Sequence, residues 1–158
     1  MKYSNLEGMI HKMKISARAR YGLAAIITMA EEQKDGECVT VLSLSEKLKI
    51  SKIYLEQVFA LLKRGGIVIS TKGARGGYNL SRSADKITLY DVLLPIENSL
   101  FEETEETVKE SDPQLENCIQ EKIFNVLDNT IKDILSNITI EDIVNNLSEY
   151  RGNYMYYL

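Results

Sequence analysis

Apolar positions along this chain recur with two different periods, and the switch between them marks its most informative stretch. Between Ser51 and Arg64, Leu55, Val58 and Leu62 fall at helical spacing and bury one face, leaving Lys52, Ile53, Glu56, Gln57, Ala60 and Lys63 toward solvent. Gly65-Gly66 stops that helix where a left-handed cap is wanted. Ile67-Val68-Ile69 then has β-branched strand character, and Tyr78-Asn79-Leu80 makes a return strand. The connection Lys72-Gly73-Ala74-Arg75-Gly76-Gly77 joins three glycines to two cations. Glycines permit a tight turn, and Lys72 and Arg75 bring charge suited to phosphates or a narrow groove. The pattern predicts a recognition helix followed by a wing; an ordinary hairpin with a solvated basic tip is the plainer reading.

Upstream, residues 1–12 carry little pattern and are expected to be a mobile extension, with a second plausible start at Met13. Leu23, Ile26, Ile27 and Ala30 predict a first helix over Ala17–Gln33. Lys34–Glu37 breaks it, and Cys38-Val39-Thr40-Val41 reads as a short extended segment. Ser43-Leu44-Ser45-Glu46 has the form of a capping box, starting a helix that ends near Lys49. With Ser51 capping the next helix, the two lie only a few residues apart, as a helix-turn-helix requires. Thr88-Leu89-Tyr90-Asp91 predicts another capped helix, running to about Pro95. A long helix is expected from about Gln114 to Asn137, and Thr139–Asp142 caps a last short one. The stripe Leu115, Ile119, Ile123, Val126, Leu127, Ile134 and Ile138 is too broad for one buried side, and its simplest partner is a second copy in a two-fold dimer.

Charge sharpens this picture. The 158-residue chain has a net charge of −4, but residues 1–90 carry 15 Lys/Arg against 8 Asp/Glu and residues 91–158 carry 4 against 15. A basic half suits nucleic acid, while the acidic half has another task. Between 98 and 113, Glu102, Glu103, Glu105, Glu106, Glu110 and Asp112 face only Lys109, which reads as a linker closed by Pro113. The expected division is an extension over 1–12, a winged helix-turn-helix domain over 13–97, an acidic linker over 98–113, and a dimerisation helix with its tail over 114–158. The fold class is mainly α with a small β wing. No apolar run approaches the ~20 residues of a membrane span, and the N-terminus has no long apolar signal region, so a cytoplasmic protein is expected. Two cysteines, Cys38 and Cys118, are too few for a disulfide framework. With one His and no phosphate loop or nucleophile elbow, no catalytic constellation is present and an enzyme is not expected.

Met13-Lys14-Ile15-Ser16 with Arg20-Tyr21-Gly22-Leu23, then Tyr54-Leu55-Glu56-Gln57, then Gly73-Ala74-Arg75-Gly76-Gly77-Tyr78 together resemble the Rrf2 family of bacterial winged-helix regulators, the IscR, NsrR and CymR type. The resemblance covers residues 13–158. It implies a homodimer on a palindromic or semi-palindromic double-stranded DNA operator, with recognition helices in successive major grooves and wings in flanking minor grooves. Lys72 then stands where the family places a minor-groove cation, Gln57 where a base reader is expected, and Glu56 where a carboxylate favours cytosine. The candidate DNA-contacting set is Arg18, Arg20, Ser43, Ser51, Lys52, Tyr54, Glu56, Gln57, Lys63, Lys72 and Arg75.

Cluster-binding members carry three cysteines about six residues apart, and here only Cys118 matches the last of them. Asp112 and Glu106 hold the spacing of the other two, and Glu121 that of a fourth ligand. One thiolate cannot hold a [2Fe–2S] cluster, so no cofactor and no metal are expected; the lone His11 reads as solvated and Cys118 as a small apolar residue near Leu115. The chain looks most like the cluster-less, CymR-type repressors of cysteine metabolism. Cys38 lies where those members carry an oxidisable cysteine, so it reads either as a thiol sensor or as a packed strand residue. The ending Gly152–Leu158 also resembles that branch, whose members act with O-acetylserine sulfhydrylase. Tyr154, Tyr156, Tyr157 and Leu158 therefore read either as a handle for that enzyme or as aromatics packed across the dimer. A winged helix that has lost DNA binding and works through protein contacts is the rival from another class.

Overall fold

The computed structural model describes residues 15–32, 37–97, 100–102 and 105–154. The extension expected over 1–12, His11 and most of the break at 34–37 lie outside these residues, as do residues 155–158 and the side chain of Tyr154.

Helix α1, Ala17–Glu32, is started by Ser16, whose Oγ accepts from the Ala19 amide at 3.1 Å while its own amide donates to the buried Glu97 carboxylate at 2.8 Å. Its deepest line is Ala19, Gly22, Ala25, Ile26 and Met29; of the expected stripe only Ile26 lies on it, with Leu23, Ile27 and Ala30 half-buried beside it. The shift follows from small residues, which let the helix approach its neighbours. A Cβ at Gly22 would stand 2.4 Å from Ile96 Cδ1.

Helix α2, Val41–Leu48, begins earlier than the Ser43 box predicts. Thr40, extended at φ −92° and ψ 150°, is the cap: its Oγ1 accepts from the Ser43 amide at 3.0 Å, and Ser43 Oγ donates back to the Thr40 carbonyl. The helix ends on Lys49, the one non-glycine residue with positive φ among those described (57°), and Ser45 Oγ donates to the Ile50 carbonyl at 2.7 Å to fix the turn. Helix α3, Lys52–Arg64, follows at once. Ser51 stands at its N-cap, but its side chain makes no capping hydrogen bond, contrary to expectation. At the other end Gly66, at φ 71°, is the left-handed residue rather than Gly65. The Ile67 and Gly66 amides reach back to the Leu62 and Lys63 carbonyls at 2.9 and 3.0 Å, satisfying the last turn.

Strands β1, Val68–Thr71, and β2, Gly77–Leu80, pair antiparallel with Val68 opposite Leu80 and Thr71 opposite Gly77. Of the expected Cys38–Val41 segment only Val39 pairs, in a single bridge to Tyr78, because Val41 already belongs to α2.

Helix α4, Leu89–Leu93, carries the predicted capping box and stops just short of Pro95. The long helix is three pieces in one run: α5, Pro113–Ile119, capped by Asp112; a π-helical turn, Gln120–Phe124; and α6, Asn125–Ser136. Helix α7, Ile140–Tyr154, is longer than the short helix expected. It packs on α1, where Arg151 pairs with Glu31, and its first residue, Ile140, is fully buried in the same core as Phe59, Leu62 and Ile26.

The starts of α4 and α7 are tied together. The Leu89 amide donates to the Ile138 carbonyl at 2.9 Å and the Ile140 amide to the Ile87 carbonyl at 2.8 Å, so the two Thr caps, Thr88 and Thr139, lie side by side. Burial alone would raise the Asp91 carboxyl, but hydrogen bonds from Thr88 and Arg82 outweigh it and hold the group below its ordinary 3.8. A depressed folded pKa adds stability that is present above 3.8 and disappears as pH falls through the lower folded value. Asp91→Asn is therefore expected to lower the thermal midpoint at neutral pH. The gap to the parent should narrow as pH falls below 3.8, which thermal melts followed by circular dichroism would measure.

Candidate nucleic-acid interface

Helix α3 buries Leu55, Val58, Phe59 and Leu62 and turns Lys52, Ile53, Glu56, Gln57, Ala60 and Lys63 to solvent, as its periodicity predicts. Along that outer face Lys52 Nζ lies 3.5 Å from Glu56 Oε1, one turn on. The pair partly neutralises Glu56, so its carboxylate repels a phosphate backbone less than a lone charge would; as an exposed pair its worth is only ~0–1 kcal/mol. Ser51 keeps its hydroxyl free of capping, which leaves it and the first-turn amides available to an anion.

The wing is held to the helix-turn-helix at three points, one before α2 and two on α3. Val39 and Tyr78 exchange two backbone hydrogen bonds of 2.9 and 2.8 Å, Tyr78 stacks on Phe59 at 4.8 Å between ring centroids, and Lys63 Nζ donates to Ser70 Oγ at 2.6 Å. Close approach requires glycine twice. A Cβ at Gly77 would stand 2.7 Å from the Val39 carbonyl oxygen, and one at Gly76 would stand 2.4 Å from that of Thr71. Lys72 and Arg75 project from the tip, exposed and without an ion-pair partner among the described residues.

At the other end of α3, Tyr54 is half-buried edge-on against Tyr21 of α1, with centroids 5.3 Å apart. These two line a shallow depression with Ala17, Lys49, Ile50 and Ser51, which brings the first turn of α1, and with it the exposed Arg18 and Arg20, beside the start of α3. Ser43 is exposed on α2. Lys49, absent from the candidate set, is exposed in the turn between α2 and α3 and lines the same depression.

Cys38 is half-buried beneath the wing. It lines a pocket of about 410 Å³ with Glu37, Thr40, Ala74, Arg75 and Gly76. Cys118 is exposed in the single chain, as is Leu115 one turn before it. The acids at cluster-ligand spacing have other engagements. Asp112 Oδ1 accepts from the Leu115 amide at 3.0 Å to cap α5, Glu106 pairs with Lys109, and Glu121 is exposed on the π-helical turn. Among the described residues no three His, Cys, Asp or Glu side chains converge as a metal site. This donor set does not fit a cluster that takes Cys or His ligands.

The family model described as "Iron-dependent Transcriptional regulator", Rrf2, matches residues 15–146. The chain belongs to the Rrf2 family. Among its relatives are the HTH-type transcriptional regulators IscR of Erwinia tasmaniensis, 34% identical over 134 residues (85% of this chain and 80% of that one), and of Pectobacterium atrosepticum, 32% identical over the same length and coverage. The solved structure of CymR, the global cysteine regulator of B. subtilis, superposes with a TM-score of 0.67 at 28% identity, covering 85% of this chain and 98% of that one. That of T. potens IscR gives 0.65 at 27% identity, covering 87% and 90%. This Rrf2 chain thus has IscR relatives by sequence and both IscR and CymR relatives by structure, and its mainly helical fold with a two-stranded wing is theirs. It is a transcriptional regulator of the IscR and CymR type. Among the described residues of this Rrf2 regulator no helix is long and apolar enough to cross a membrane.

Proposed function

We propose that this Rrf2 regulator binds a double-stranded DNA operator as a homodimer, without an iron–sulfur cluster, and represses genes of cysteine and sulfur metabolism. The observation that carries the DNA reading is the exposed polar row of α3, Lys52, Glu56, Gln57 and Lys63, and what flanks it. The first turn of α1, with its Arg18 and Arg20, lies beside Ser51 and Tyr54 at one end, and the wing with Lys72 and Arg75 is tied to Lys63 at the other. A helix fits the major groove, and a basic glycine-rich tip fits the narrow minor groove beside it. Lys72 and Arg75 would neutralise phosphates, Gln57 would read a base edge, and Ser43 on α2 would meet the backbone.

The dimer reading rests on the outer face of α5 and α6. Leu115, Ile123, Val126, Leu127 and Ile134 are all exposed in the single chain, a larger apolar surface than scattered exposed residues account for. A two-fold copy would bury it and would place two copies of α3 on one duplex. The cluster-less reading rests on the donor set, in which the two acids at ligand spacing cap a helix and pair with a lysine. The sulfur assignment draws on likeness to a cysteine regulator.

A second reading has its own observation. Cys38 shares a pocket with Arg75 of the wing tip, so an adduct on its sulfur would crowd the wing, and thiol chemistry there would weaken DNA binding. O-acetylserine sulfhydrylase as a partner, held through Tyr154, Tyr156, Tyr157 and Leu158, is supported by the sequence of residues 152–158 alone.

Three outcomes are expected. Lys72→Ala and Arg75→Ala weaken binding in gel shifts and each lower the log–log salt slope by roughly one, while Gln57→Ala relaxes sequence preference by about 1–3 kcal/mol. Full affinity and slope in both wing variants would remove the wing from the DNA contact, and a parent chain that shifts no duplex would favour the protein-interaction module. Leu127→Glu should turn a sedimenting species of two chains into one, and an unchanged mass would place the dimer elsewhere. Protein purified without oxygen should be colourless and free of acid-labile sulfide; a stoichiometric chromophore would overturn the cluster-less reading.

A further inference from the structure

The outer face of α3 holds one large apolar residue, which polar recognition does not use. Ile53, on the second position of the helix, is 70% exposed, the highest value among the exposed large apolar side chains of the described residues. It shares a stripe with Glu56, Gln57 and Ala60, three, four and seven residues further on. Lys52 beside it is already engaged with Glu56, and the exposed Ala60 keeps the lower end of the stripe low enough for close approach. A β-branched side chain in a helix has essentially one χ1 rotamer, so ordering it on contact costs little. It also gains nothing by facing water.

We propose that Ile53 reads the 5-methyl group of a thymine. That methyl is the only apolar group that the base pairs display in the major groove, and contact with it distinguishes thymine from cytosine without a hydrogen bond. With Gln57 one turn further along the same stripe, the helix then reads one base by shape and apolar contact and its neighbour by polar contact. This inference rests on the placement of α3 in the major groove.

The test uses the full chain and duplex operators that it recovers from a random-sequence pool. Each thymine of a recovered half-site is replaced singly by deoxyuridine, which removes only the methyl group. One thymine per half-site should prove sensitive, with affinity falling about fourfold, the factor expected when one methyl loses its apolar contact. Ile53→Ala should bind the thymine and deoxyuridine duplexes equally, whereas Gln57→Ala should keep the methyl discrimination. Circular dichroism checks that both variants remain folded. Affinity insensitive to every deoxyuridine substitution, or methyl discrimination undiminished in Ile53→Ala, would overturn the proposal while leaving DNA binding in place. Failure of the unmodified chain to retain any duplex from the pool would remove the DNA-binding reading, and this inference with it.

Discussion

Two backbone hydrogen bonds between Val39 and Tyr78 decide whether this molecule has one recognition surface or two loosely joined ones. A two-stranded hairpin is at best marginally stable in water on its own. The wing of β1 and β2 is such a hairpin, and only Val68 is buried along β1. The bridge gives β2 a third chain segment to lean on, Phe59 gives the Tyr78 ring a hydrophobic seat, and Gly77 keeps the two backbones close. Because Val39 immediately precedes the Thr40 cap of α2, the same bonds register the wing against the helix-turn-helix. The spacing between the exposed row on α3 and the cations at the wing tip is therefore built into the fold.

Much of this could be read from sequence because it is local. The stripe of Leu55, Val58 and Leu62 fixes which side of α3 faces out, and Gly65-Gly66 fixes its end, with Gly66 the member that takes the left-handed conformation. The Thr88 and Thr139 caps followed from their Asp three residues on. What local pattern could not decide was which of two hydroxyl residues starts α2. Thr40 and Ser43 offer similar chemistry, and the choice falls to Thr40 because Val39 is held extended by Tyr78, far along the chain. The length of α7 was missed for the same reason: its support comes from α1 and Glu31, more than a hundred residues away. Apart from the half-buried Tyr54 the candidate DNA-contacting residues are exposed, whereas the Tyr21–Tyr54 contact and the wing bridge that bring their elements together join segments distant in sequence and left no local signal.

The acidic half illustrates how position and chemistry can part. Asp112 and Glu106 stand at a spacing that the cluster-binding members of the family give to cysteines, yet one caps a helix and the other pairs with Lys109. The helix that follows contains a π-helical turn at Gln120–Phe124, spanned by a hydrogen bond from Gln120 to Asn125 at 2.9 Å. The apolar residues Leu115, Ile123, Val126, Leu127 and Ile134, on both sides of and within that turn, are all exposed in the single chain. In our reading this face serves assembly and the basic surface serves DNA.

The most direct measurement of the central claim is a hydroxyl-radical footprint, which reports sugars lining the minor groove, on a duplex bound by the parent chain and by Gly77→Ala. A Cβ at Gly77 would press on the Val39 carbonyl and part the wing from the helix-turn-helix. The account predicts that the parent protects minor-groove sugars flanking each major-groove contact, and that Gly77→Ala loses those flanks while keeping the central protection. Flanking protection that is absent from the parent, or unchanged in Gly77→Ala, would contradict it.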